Sequence, residues 1–212
     1  MSSVAGILRK TVVVLGVFAL IGTALMYVTY QHSQPYIEAN ERQVILRTLQ
    51  VVLPSREFDN DIVEDVIMAV SPQGLGSSAA LPVYRARKNG QPVAVVMTAI
   101  APDGYGGPIK LLIGVRLDGS ISGVRVVMHR ETPGLGDAIE ASHSDWIESF
   151  TGRSLKNTPV GEWRVHKDGG TFDQFTGATI TPRAIVAAVQ RALQYYRKRR
   201  DTLFAMDSGK TM

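Results

Sequence analysis

The chain has 212 residues, 45% apolar and 20% charged, which is enough to build one compact domain with accessory segments. It contains no cysteine, which excludes disulfides, thiolate metal ligands, cysteine-held iron–sulfur clusters and thiol redox chemistry. The formal charge of +4 is mildly basic, and Arg197, Lys198, Arg199 and Arg200 carry much of it; they read as a solvated helix end, so nucleic acid is not a predicted partner.

Residues 11–30, TVVVLGVFALIGTALMYVTY, form an uncharged run of about the 20 residues a helix needs to cross a bilayer. A cleaved secretory signal has an apolar core of about 7–15 residues ending in small residues. Here the run continues into Tyr27, Tyr30 and Gln31, which predicts an uncleaved anchor. Arg9 and Lys10 precede it, while Gln31, His32, Ser33, Gln34, Glu38 and Glu41 follow before Arg42. The positive-inside rule then keeps residues 1–10 in the cytoplasm and places the rest of this single-pass chain on the other side, in the periplasm or outside. Tyr27 and Tyr30 lie where an aromatic belt is expected to meet lipid.

Residues 31–80 read as a helical linker leading into the domain. Ile37, Val44, Ile45, Leu49 and Val52 recur at helical spacing over 36–53, and Pro54 stops the pattern. The domain proper is expected over residues 81–200. Runs at 83–87 and 93–98 flank Lys88-Asn89-Gly90-Gln91, and Asn-Gly is the strongest short hairpin signal. A second pair, 109–117 and 121–128, surrounds Asp118-Gly119. Further elements are a helix over 137–150, a short strand near 163–165 and a final helix over 183–198, with Ile185, Val189, Ala192, Leu193 and Tyr196 on one stripe. Residues 201–212 read as a flexible tail. The P-loop echo in it, Ser208-Gly209-Lys210-Thr211, lacks the upstream glycine, since Phe204 stands there. The predicted class is α+β: one transmembrane helix, then a single domain with a mainly antiparallel sheet and flanking helices.

His32, His129, His143 and His166 show no metal-ligand spacing, and Gly104, Gly106 and Gly107 fail the dinucleotide pattern, so neither a metal nor a nicotinamide site is predicted. The chemistry concentrates at Thr176-Gly177-Ala178-Thr179-Ile180-Thr181-Pro182, a hydroxyl-rich segment that empties into the last helix. Pro182 suits the first helical position and Thr181 the N-cap. That would set the Thr181 hydroxyl beside unpaired N–H groups that favour an anion such as phosphate. On spacing alone the commoner explanation is a threonine that caps the helix and binds nothing.

The longer segment Asp173-Gln174-Phe175-Thr176-Gly177-Ala178-Thr179-Ile180-Thr181 resembles the flavinylation motif of the FMN-binding domain family, D-x-x-[ST]-G-A-T-x-[ST], with Thr176 where serine is commoner. His129-Arg130-Glu131-Thr132-Pro133-Gly134-Leu135-Gly136 is similar to that family's H-x-E-T-P-G-L-G loop. With the anchor, the hairpins and Ala101-Pro102-Asp103-Gly104-Tyr105-Gly106-Gly107-Pro108, nearly the whole chain resembles the G subunits of Rnf (Rsx) electron-transport complexes. The resemblance implies FMN held as a phosphoester on Thr181, attached by a separate Mg²⁺-dependent flavin transferase that consumes FAD. Asp173, Thr176, Gly177, Ala178 and Thr179 would present Thr181 to that enzyme. Glu131, Thr132, Pro133, Gly134, Leu135 and Gly136 become candidate neighbours of the flavin ring, expected to converge on Thr181. Asp173→Ala is expected to lower loading, and Glu131→Gln to load normally but shift the flavin potential.

The implied function is electron transfer as one component of a membrane-bound, ion-translocating oxidoreductase that couples ferredoxin and NAD to an ion gradient, with the other membrane subunits as partners. Two alternatives stand beside it: the related flavin-carrying C component of a sodium-pumping NADH:quinone reductase, and a membrane-tethered flavin- or phosphate-binding module without turnover.

Overall fold

A computed structural model describes the backbone of residues 2–212 and the side chains of residues 12–34 and 40–212. Helix α1 spans Ser2–Val52, so the anchor and the expected linker helix form one continuous element whose backbone stays helical through Pro35. Its stretch Val12–Gln34 is long and apolar enough to cross a membrane, with mean hydropathy 2.3 and none of it buried. Three polar side chains there bond within the helix, as suits lipid: Thr23 Oγ1 donates to Ala19 O (2.8 Å), Thr29 Oγ1 to Leu25 O (2.9 Å) and Gln31 Nε2 to the Tyr27 hydroxyl (2.8 Å). The side chains of Arg9, Lys10, Ile37 and Glu38, on which the topology and linker readings partly rest, lie outside the described residues.

The chain divides into two compact units, residues 1–45 and 46–212. In the second, β1 (Val66–Ser71), β2 (Ser77–Lys88), β3 (Gln91–Ala101), β4 (Ile109–Arg116) and β5 (Ile121–Met128) form an antiparallel meander in sequence order. The expected hairpin at Asn89-Gly90 is present, and both turn residues take positive φ, 51° and 74°, as the primed turn that matches strand twist requires. Strand β1 has no counterpart in the sequence reading. Its Val66-Ile67-Met68-Ala69-Val70 run is too short to separate strand from helix by periodicity.

Side-chain alternation divides the sheet into two faces. Val95, Met97, Ala99 and Ala101 of β3 join Leu111, Ile113 and Val115 of β4 in the main core with Ile185, Val189, Ala192, Leu193 and Tyr196 of helix α2, Ile180–Ala205. On the other face the end of α1 makes a close backbone approach. A Cβ at Gly114 would lie 2.9 Å from Val52 O, and one at Gly123, its cross-strand partner, 3.1 Å from Val52 Cα. Ser122 Oγ donates to the same Val52 carbonyl at 2.7 Å, satisfying one of the acceptors that a helix end leaves open.

Three local expectations are corrected. Residues 137–150 are two 3₁₀ turns, Gly136–Ile139 and Asp145–Phe150, because Ser144 competes with helix pairing. Its Oγ donates to Ala138 O (2.6 Å) and accepts from Trp146 N (3.2 Å). Around Trp163 and Val165 there is one bridge, Val165 to Phe172, rather than a strand. The Arg197–Arg200 cluster does not end α2, which continues to Ala205. Its last carbonyls are met from β2, where Arg85 Nη1 donates to Leu203 O (3.1 Å) and to Met206 O, and Arg87 Nη2 to Phe204 O (3.2 Å).

The stretch read as a flexible tail is hydrogen-bonded along β1 over 209–212: Gly209 N to Val66 O (2.7 Å), Met68 N to Lys210 O (2.8 Å), Met212 N to Met68 O (2.8 Å) and Val70 N to Met212 O (2.9 Å). It covers a sheet edge that would otherwise offer unpaired backbone groups.

Candidate functional site

Two segments distant in sequence meet at one point. Thr181, with no exposed surface, donates through Oγ1 to Oε2 of Glu131, itself 5% exposed, at 2.5 Å. The other carboxylate oxygen, Oε1, accepts from the Gly106 N–H at 3.0 Å. The loop leaving β5 is shaped so that Glu131 points inward. His129 Nδ1 accepts from the Glu131 N–H (3.0 Å) while its Nε2 faces Glu140 Oε1 (2.7 Å), which sets the ring proton on Nε2. That hydrogen bond with His129 holds the Glu140 carboxyl below its ordinary value. The following turn closes through Leu135 N and Gly136 N to Thr132 O (3.2 and 3.1 Å), with Gly134 at φ 76°. The Gly134 N–H also lowers the pKa of Asp137, pinning the turn from its far side.

The start of α2 differs from the sequence expectation. Thr181 is not the N-cap and Pro182 is not the first helical residue. The helix opens at Ile180 behind Thr179, whose φ −71° and ψ −24° are helical and whose side chain makes no cap bond. A capping hydroxyl must turn back to the helix N–H groups, whereas the Thr181 hydroxyl is taken by a buried carboxylate. The positive pole of α2 is therefore left without a side-chain cap. Arg183 clamps this first turn to the 166–168 turn through Asp168 (Nε to Oδ2 2.5 Å, Nη2 to Oδ1 2.7 Å), and that fork lowers the Asp168 pKa.

A cavity of about 290 Å³ lies here, lined by Tyr105, Glu131, Thr132, Leu135, Gly136, Gly177, Ala178, Thr179, Ile180 and Thr181. Tyr105, Leu135 and Ile180 are large hydrophobic side chains left exposed around it. Gly136 is required by space: a Cβ there would stand 2.8 Å from Glu131 Oε2 and 3.1 Å from Thr181 Oγ1. Of the residues singled out in the sequence, Pro133, Gly134, Asp173 and Thr176 do not line the cavity. Asp173 is on the surface, its carboxylate 3.3 Å from His166 Nε2 and its carbonyl accepting from Trp146 Nε1 at 2.8 Å. Tyr105, Gly106 and Ile180 are site residues that the sequence does not single out. Their only sequence signal is position, Tyr105 and Gly106 inside a glycine-rich turn and Ile180 inside the motif.

An uncapped helix pole and a hydroxyl suit a phosphate, glycine walls permit close approach, and the apolar rim suits an aromatic ring system, so this set fits FMN. The one carboxylate lining the cavity, Glu131, is the exception.

Comparison with known proteins agrees with this chemistry. The FMN-binding domain family matches residues 104–194, and the RnfG N-terminal region matches residues 1–52. Similar proteins include one from Aliivibrio fischeri, 43% identical over 196 residues (92% of this chain, 93% of the relative), and one from Pseudomonas aeruginosa, 45% identical over 200 residues (94% of each). A Vibrio cholerae protein is 41% identical over 196 residues, covering 92% and 93%. All three are named as the G subunit of an ion-translocating oxidoreductase complex. The chain belongs to the family of G subunits of ion-translocating oxidoreductase complexes.

Proposed function

We propose that this chain carries FMN covalently, as a phosphoester on Thr181, and relays electrons through it within the complex, on the periplasmic side of a bacterial inner membrane. The observation that carries the reading is the Thr181 hydroxyl, set at an uncapped pole of α2 among residues that fit a phosphate and an apolar ring. Bound there, FMN would supply a redox carrier, because a phosphoester leaves its ring system chemically free while the covalent bond keeps it from diffusing away. The chain's own part is to fix the attachment point, and to surround the carrier with Tyr105, Leu135 and Ile180.

Asp173 and Thr176 support attachment by a separate flavin transferase in a different way. Both are exposed and neither lines the cavity, so another protein can read them. Asp173→Ala is expected to lower loading without changing the cavity. The apolar Val12–Gln34 stretch, with Tyr27 and Tyr30 toward its end, is the proposed lipid contact.

The test of function is a complex assembled with Thr181→Ala. Electron flow should be lost while the other subunits remain assembled, and continued turnover would overturn the relay role and favour a tethered module. Topology is tested apart from this by a reporter fused after Met212. A periplasmic signal is expected from the charges at Arg9 and Lys10, and a cytoplasmic signal would move the flavin domain to the other side.

A further inference from the structure

We infer that Glu131 is the group that accepts the Thr181 proton when the hydroxyl becomes a phosphoester, and that Gly136 lacks a side chain so that the two can touch. The inference rests on Thr181 as the attachment point. A threonine hydroxyl is a weak nucleophile unless an adjacent base takes its proton, and such a base must lie within hydrogen-bond reach. Glu131 Oε2 is 2.5 Å from Thr181 Oγ1 and belongs to the one carboxylate lining the cavity.

The surroundings of Glu131 favour a chemical role over an electrostatic staple. A buried carboxylate is costly unless its oxygens are partnered, and the usual partner is a cation. Here one oxygen takes a backbone N–H and the other the hydroxyl, and none of the ion pairs among the described residues includes Glu131. Thr181 lies in the first turn of a 26-residue helix, whose positive pole favours the negative charge that develops on Oγ1. Since Thr181 has no exposed surface, the residues that cover it must shift for the phosphorus to arrive.

The step balances with FAD as co-reactant. The Oγ1–H bond breaks and its proton passes to Glu131 Oε2. Oγ1 bonds to the flavin-side phosphorus, the diphosphate P–O bond breaks, and AMP leaves with the electron pair; nothing is oxidised or reduced. Glu131, now protonated, faces the new phosphodiester as a hydrogen-bond donor rather than as a like charge. This revises the expectation that Glu131→Gln loads normally.

The test is a loading time course on the full chain in detergent with flavin transferase, FAD and Mg²⁺, read by intact mass per folded molecule, with fold checked by circular dichroism. Glu131→Gln should load about 100-fold more slowly than wild type. Loading of Glu131→Gln at the wild-type rate overturns the inference. Should that variant not fold, Gly136→Ala decides, since its methyl displaces the contact while keeping both groups. It should slow loading by about 10-fold or more, and a wild-type rate overturns the inference. Thr181→Ala is run beside them: a mass gain in that variant would instead remove Thr181 as the attachment point.

Discussion

Thr181→Ala should yield a folded protein that flavin transferase cannot load. The substitution removes a single hydroxyl from the first turn of α2, where alanine is a better helix former than threonine, and it leaves Glu131 Oε2 without its donor. An unsatisfied buried acceptor costs about 1–3 kcal/mol, well below the total stability of an ordinary domain. The cost arises from that lost partner and not from a lost cap, because Thr181 is not the cap. After coexpression with the transferase, the variant band in a denaturing gel should show no flavin fluorescence, and Thr181→Ser should restore it. A fluorescent Thr181→Ala band would place the ester on another residue.

Arg85→Ala should be the most destabilising single change at the far end of α2, by about 3 kcal/mol or more. Arg85 is 2% exposed, and its guanidinium serves the Leu203 and Met206 carbonyls, Ser208 Oγ (2.9 Å) and, through Nε, Asp65 Oδ1 (2.7 Å). One side chain thus joins β2, the end of α2 and the strand-like tail. Removing it strands two helix carbonyls and half of the charge pairing of Asp65, which keeps Arg87 at 2.8 Å.

The same contact sets an acid limit. Burial alone would raise the Asp65 carboxyl, but hydrogen bonds and charge from Arg87, Arg85 and Ser208 outweigh it and hold the pKa below the usual carboxylate range. A lowered carboxylate contributes stability that is present above its unfolded value and lost as pH falls through the folded one. Chemical denaturation of the detergent-solubilised chain should therefore show Arg85→Ala weakened at neutral pH and less acid-sensitive than wild type near that limit. An unchanged midpoint would mean that the tail and helix end hold together without Arg85.

What was legible in the sequence follows from the range of each signal. Asn89-Gly90 and Asp118-Gly119 announced their hairpins because turn geometry is decided by the turn residues themselves. The anchor was legible because lipid tolerates little besides an uninterrupted apolar run. The FMN motif was legible as a pattern, and its resemblance also led to the expectation that Thr181 and the 131–136 loop would meet. Contacts decided by tertiary partners were not legible. The cap position failed because the Thr181 hydroxyl answers Glu131, fifty positions away, rather than its own helix. The helix over 137–150 failed because Ser144 forms local bonds and Trp146 and Phe150 turn into an aromatic cluster with Phe172 and Phe175. The tail was misread because pairing with β1 is backbone chemistry to which Ser208-Gly209-Lys210-Thr211 gives no side-chain clue.

The most direct test of covalent FMN on Thr181 is mass spectrometry of the intact chain and of its tryptic peptide 168–183, purified from cells with and without the flavin transferase. With the transferase, the chain and that peptide should both gain the mass of one FMN less one water, with the gain assigned by fragmentation to Thr181, and without it neither should change. An unmodified mass from transferase-containing cells, with all flavin released on denaturation, would contradict the account.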